Sequence, residues 1–210
     1  MNHMSLSSYV TFCGLCAALA VSPGPDSLLI LRYSLQQLSS GIAAALGSAL
    51  GNVVWALMVA IGLAALIEQS AEAYRGLKLI GGLYLFYLGT QAVRGRKRGM
   101  QDPAEIGPGA AGVMSSAGAG LLSCMLNPKV GLFFLAVVPQ FVPEGGAVFP
   151  LTMLLGVTLA VIVLMYLAVL CLFAAKASAW LKQPKVSRAL EKTSGLILCA
   201  LGIGTAASAY

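Results

Sequence analysis

Two ionisable residues stand deep in apolar sequence, and each directly follows a proline. Asp26 ends the run Ser22-Pro23-Gly24-Pro25-Asp26, and Lys129 ends the run Leu126-Asn127-Pro128-Lys129. A charge at the centre of a bilayer costs about 2.5–3.5 kcal/mol on insertion scales, so such residues are kept where they are paired or face water, and they mark function by default. Opposite signs suit a small solute that carries both. Asp26 could meet an amino group or a proton. Lys129 could meet a carboxylate, or hold Asp26 ionised. The plainer alternative is a structural ion pair that locks two broken helices. Asn127 and the mid-span Asn52 could cap a broken helix or bond across helices. For Asn127 the position beside Pro128 favours capping and site shaping together. For Asn52 the two readings stay level. Gln140, in Pro139-Gln140-Phe141, suits an interfacial residue or a gate, and Tyr84 and Tyr87 suit packing.

Other chemistries find little support. Cys13-Gly14-Leu15-Cys16 has the spacing of a thiol pair, and Cys124 precedes the second proline break. Together they allow a membrane thiol–disulfide electron carrier as the alternative reading. All five cysteines lie in apolar segments, however, where a thiol behaves as a small hydrophobe. The single histidine, His3, is terminal, and acidic pairs, metal-ligand spacings and phosphate-cradling loops are missing. The sequence therefore predicts neither an enzyme nor a metal or cofactor. The net charge of +6 does not point to nucleic acid, because the basic residues cluster at the ends of apolar runs.

The elements that must position Asp26 and Lys129 are membrane helices. The chain is 59% hydrophobic and 10% charged, against about 25% charged in soluble domains, and lipid is the solvent that this balance fits. Charge-poor stretches at 42–67, 76–93, 147–175 and 193–210 each suit one crossing. Two longer stretches, at about 6–38 and 110–142, run to about 50 Å as straight helices, too long for one untilted crossing. Each carries a breaker near its middle: Pro23, Gly24 and Pro25 in the first, Pro128 in the second. Proline removes a backbone donor and clashes with the preceding turn. In lipid the freed carbonyls need partners, so both breaks should face the interior or a cavity. Six spans put both termini on one side. Arg94, Arg96, Lys97 and Arg98 follow the third span, and Lys176, Lys182, Lys185, Arg188 and Lys192 follow the fifth. The positive-inside rule puts these loops in the cytoplasm and both termini outside. Residues 1–25 carry no Lys or Arg, so the start does not read as a signal peptide.

The halves also resemble each other. Arg75, Leu77, Gly82, Leu83, Leu85, Leu88 and Gly89 recur as Arg188, Leu190, Gly195, Leu196, Leu198, Leu201 and Gly202 at a constant offset of 113, while Pro25 and Pro128 pair at 103. A three-span repeat must insert its second copy upside down. The expected fold is thus an all-α membrane protein: six transmembrane helices as two inverted three-helix repeats, with the first and fourth helices broken. It forms one domain over 1–210, with repeat one at about 1–95, a basic loop at about 94–110 and repeat two at about 110–210. Inverted repeats with broken helices at the midplane are a plan of secondary transporters. Gly47 and Gly51, flanked by Ala45 and Ala49, allow close helix contact, either within the chain or in a homodimer.

These motifs resemble the LysE/RhtB family of amino-acid exporters over nearly the whole chain. Pro23-Gly24-Pro25-Asp26 and Asn127-Pro128-Lys129 are similar to its signatures. So are a glycine-rich second span with Gly41, Gly51 and Asn52, a third span with Lys78, Gly81, Gly82, Tyr84, Leu85 and Gly89, and Pro139-Gln140-Phe141. The resemblance implies a multi-pass exporter of amino acids or their derivatives in the bacterial inner membrane, driven by proton antiport with alternating access. Its partners would be a small solute, protons and membrane lipid.

Overall fold

The computed structural model describes residues 4–22, 24–69, 112–142 and 147–174, with isolated positions between 76 and 90 and between 183 and 203. Among the described residues all regular structure is helical. The chain enters α1 (Leu6–Val21) from Ser5, whose hydroxyl accepts the Ser8 N–H at 3.1 Å, a side-chain N-cap. After the first break comes α2 (Pro25–Gln36), and Gln37 alone separates it from α3 (Leu38–Gln69). The second half contains α4 (Val113–Leu126), α5 (Pro128–Ala136), a 3₁₀ turn (Val138–Phe141) and α6 (Val148–Leu172).

Both breaks fall at the prolines. The pair α1–α2 bends by 57°, and α4 bends by 53° against the segment Pro128–Phe141. Pro25 and Pro128 each occupy the first turn of the helix that restarts, where the missing N–H costs nothing. Within the membrane-length elements, α3 and α6 are each long and apolar enough to cross, and each bent pair would add one more span. The stretch expected at 42–67 begins earlier, at Leu38, because the turn before it is tight. A Cβ on Gly41 would lie 2.0 Å from the Ser34 hydroxyl oxygen, so only glycine lets α3 fold back this closely on α2. The crossings expected at 76–93 and 193–210, the loop at 94–110 and Pro23 lie mostly or wholly outside the described residues, as do most positions of the repeat at offset 113.

The faces sort by size. On α3 the large residues Ile42, Leu46, Leu50, Leu57 and Ile61 are exposed, while Ala45, Ser48, Asn52, Ala56 and Leu63 are buried on the opposite face. Small residues inward and large ones outward is the pattern of a membrane helix, where close backbone approach replaces the hydrophobic drive. The approach to α4 is very close: a Cβ on Gly47 would fall 1.9 Å from the Ala117 carbonyl oxygen, and one on Gly120 would fall 1.9 Å from that of Ala44. Gly47 and Gly51 are therefore spent on packing within the chain. Two apolar clusters result. One gathers Phe12, Leu19, Val130, Phe134 and Leu155, and the other gathers Ile30, Tyr33, Ala44 and Leu167.

Candidate functional site

A cavity of about 30 Å³ lies where the two clusters meet, lined by Leu19 and Val130 of the first and Leu167 of the second. Its polar lining comes from both breaks: Ser22, Gly24, Asp26, Ser27, Asn127 and Lys129, joined by Asn52 from α3 and Tyr166 from α6. That volume holds about two waters; an amino acid would need the walls to move apart.

Each charge is held by the other half of the chain. The Asp26 carboxylate accepts from the Ser123 hydroxyl and, at 3.3 Å, from the Asn127 side-chain amide. Asp26 also sits in the first turn of α2, where the positive end of the helix dipole favours an anion. The Lys129 ammonium donates to the Leu19 carbonyl at 2.6 Å and to the Ser22 carbonyl at 2.8 Å. Those carbonyls end α1, and the break has taken their helical partners. Charge-assisted bonds of this length are the strong ones, and they offset the poor position of a cation in the first turn of α5. Lys129 thus spends its donors on the end of α1, while Asp26 is held from α4 and Asn127. The expected locking of the two broken helices is present as geometry, carried by crossed hydrogen bonds.

Asn127 does two jobs at one position. Its backbone N–H donates to the Cys124 carbonyl at 3.1 Å to end α4, and its side-chain oxygen accepts the Lys129 N–H at 3.1 Å to start α5. Asn52 is 1% exposed, and its amide nitrogen donates to the Ser48 carbonyl at 3.0 Å. Asn52 lines the cavity, and its buried side-chain oxygen has no partner among the described residues. Gln140 lies apart, half-buried in the 3₁₀ turn, with its amide on the Ala136 carbonyl. The expected site residues Asp26, Lys129, Asn127, Asn52 and Gly24 therefore converge, and Gln140 does not join them.

Sequence reasoning missed four contributors: Ser123, Ser27, Tyr166 and the α1 carbonyls. Ser123 precedes Asn127 by one helical turn, which puts both on one face, but a lone serine in an apolar helix gives little signal. Tyr166 and Ser27 both line the cavity, from α6 and α2. The α1 carbonyls carry no side-chain signature at all. The cysteines are free thiols, with Cys16 and Cys124 buried in the first apolar cluster, and this does not favour the electron-carrier alternative.

The chain is similar to several known membrane proteins. The LysE type translocator family matches residues 17–208. An uncharacterized membrane protein of Pseudomonas aeruginosa is 35% identical over 186 residues, covering 87% of this chain and 86% of its own. An uncharacterized membrane protein of Bacillus subtilis is 26% identical over 97% of this chain and all of its own. A homoserine/homoserine lactone efflux protein of Salmonella typhi is 28% identical over 189 residues, 88% of each chain. No solved structure matches. With nearly its whole length matched, the chain belongs to the family of LysE type translocators.

Proposed function

We propose that the protein exports a small amino acid or amino-acid derivative across the bacterial inner membrane, in exchange for protons and by alternating access. The observation that carries this reading is the cavity between the two breaks, where Asp26, Lys129, Asn127 and the unpartnered Asn52 oxygen converge. An acid, a base and neutral hydrogen-bonding groups in one small chamber match a solute with an ammonium and a carboxyl or lactone group. The homoserine/homoserine lactone efflux relatives support that class. A cavity of about 30 Å³ requires the halves to part before a solute enters, and a carrier that opens to one side at a time meets that requirement.

Six spans in two inverted repeats remain the architecture we favour. The crossed bonding of Asp26 and Lys129 supports it, since each residue follows its own proline and reaches the opposite half. So does a contact far from the site: the Cys199 thiol lies 3.7 Å from the Phe86 carbonyl, and these positions are separated by 113 residues, the offset of the sequence repeat. Equivalent positions of two copies meet at the axis that relates them. Basic loops in the cytoplasm would place both termini outside, and a reporter fused at Tyr210 that works only in the cytoplasm would overturn that orientation.

The test of function is efflux of radiolabelled L-homoserine from proteoliposomes with an imposed pH gradient. Wild type should move it, and faster with the gradient than without. Asp26→Asn and Lys129→Met should each cut efflux about 10- to 100-fold, the loss expected for one charge-assisted bond of about 1.5–3 kcal/mol. Unchanged efflux in folded variants would remove both residues from the mechanism.

A further inference from the structure

The position of the Lys129 ammonium says more than its charge does. A proline-broken helix ends in carbonyls without partners, and the negative end of its dipole favours a cation. In this chain α1 ends so, and the group that answers it is a primary ammonium with bonds of 2.6 and 2.8 Å to the Leu19 and Ser22 carbonyls. Asp26 lines the same cavity as Lys129, Leu19 and Ser22. Two carbonyls and a nearby carboxylate form a seat for a primary ammonium. Nothing in it is specific to a lysine side chain.

We propose that the carboxyl end of α1, with Asp26 beside it, is the seat of the exported solute's own ammonium, and that Lys129 occupies this seat as a tethered stand-in whenever no solute is carried. The inference rests on the exporter reading and deepens it. An incoming ammonium displaces that of Lys129, which is then free to meet the solute's carboxyl or lactone oxygen. The freed base and the free acceptor of Asn52 complete the contacts of an amino-acid-like solute. The exchange also keeps the α1 carbonyls bonded throughout the cycle, so the carrier never buries them without a partner. A solute whose amine is acylated has no ammonium for the seat and should not be carried.

A tethered competitor lowers apparent affinity by the fraction of carriers in which it is withdrawn. Shortening it must therefore strengthen ammonium binding, the opposite of removing an ordinary contact. The experiment uses the full chain in detergent, with propylammonium chloride as the probe and tetramethylammonium chloride, which has no N–H donor, as the control. Propylammonium should raise the Tm of Lys129→Ala by a few degrees and leave wild type where it was, and tetramethylammonium should move neither. Equal responses of the two proteins, or none, would overturn the seat.

A second measurement needs no variant. In wild type, L-homoserine should speed the modification of Lys129 by a membrane-permeant acylating reagent several-fold, read by mass spectrometry. A solute that merely packs against Lys129 would slow it, and slowing counts against the stand-in. The two layers separate cleanly: propylammonium rescue with no response to L-homoserine keeps the seat and sinks homoserine as the solute. Efflux of L-homoserine without rescue sinks the seat alone.

Discussion

At Pro128 the chain closes its own break. Asn127 ends α4 with its backbone N–H and starts α5 with its side chain, and a single residue makes the whole transition. At Pro25 the corresponding position is Gly24, which caps α2 with no side-chain bond. The Ser22 N–H still reaches the Ala18 carbonyl at 3.2 Å, but the outer carbonyls of α1 depend on Lys129 from the other half. The neighbours differ in the same sense. The self-capped break follows a helix clamped to α3 through Gly47, Gly51 and Gly120. In the other broken span α1 meets α6 through larger groups, including a 2.8 Å bond between the Tyr9 and Thr158 hydroxyls. One break is built as a fixed wall. The other takes its support, among the described residues, from Lys129 of the opposite half, the group that we propose a solute displaces.

The largest effects should come from the clamp. Gly47→Ala and Gly120→Ala each place a methyl 1.9 Å from a backbone carbonyl oxygen, and backbone cannot give way as a side chain can. Each should cost about 3 kcal/mol, the upper range for overpacking, read as loss of folded protein in detergent unfolding. Gly14→Ala is the matched control on α1, because beyond its chain neighbours and its own helix backbone nothing lies within 4 Å of the added methyl. It should be neutral or gain up to about 1 kcal/mol of helix propensity. If all three behaved alike, the contrast between a clamped wall and a looser one would fail.

Next in size is the self-cap. Asn127→Ala removes the acceptor for the Lys129 N–H and one donor to Asp26. The cap alone is worth about 1 kcal/mol, and thermal unfolding of the purified variant should show that loss. Ser123→Ala takes the other donor from Asp26 and leaves α4 and its cap intact. It should therefore lower efflux more than it lowers Tm, whereas Asn127→Ala lowers both.

How much of this could be read in the sequence follows from which atoms do the work. Proline and charge are side-chain identities, so both breaks, their placement in the interior and the convergence of Asp26 with Lys129 were legible. The capping role of Asn127 was legible too, because asparagine before proline at a helix start has a mechanical reason to be there. The partners were not. The Lys129 ammonium donates to the carbonyls of Leu19 and Ser22, which every residue possesses. The depth of the α3–α4 contact was half legible: Gly47 and Gly51 signalled a close approach, but the mate, Gly120, sits among Ala117, Gly118 and Ala119, where nothing singles it out. Gln140 suits an interfacial residue as well as a gate, and its amide lies on the Ala136 carbonyl, apart from the cavity.

The smallest effect is also the sharpest probe of the asymmetry. Gly24 has extended backbone, φ −149° and ψ 178°, and a Cβ there would meet nothing closer than the Asn127 amide nitrogen at 3.9 Å. Gly24→Ser is thus sterically free and supplies the missing side-chain cap for α2. Replacing glycine by serine at an N-cap is worth only a few tenths of a kcal/mol, so alone the change should shift Tm by roughly 1 °C. In a Lys129→Ala background it should matter more, because the first break has then lost its borrowed support and must hold by local means. A double-mutant cycle on Tm measures that difference as a coupling energy, expected at about 0.5 kcal/mol or above for groups that share a partner. Gly24 and Lys129 touch the same break from opposite ends, so strict additivity would mean that the ammonium does not hold the first break in shape.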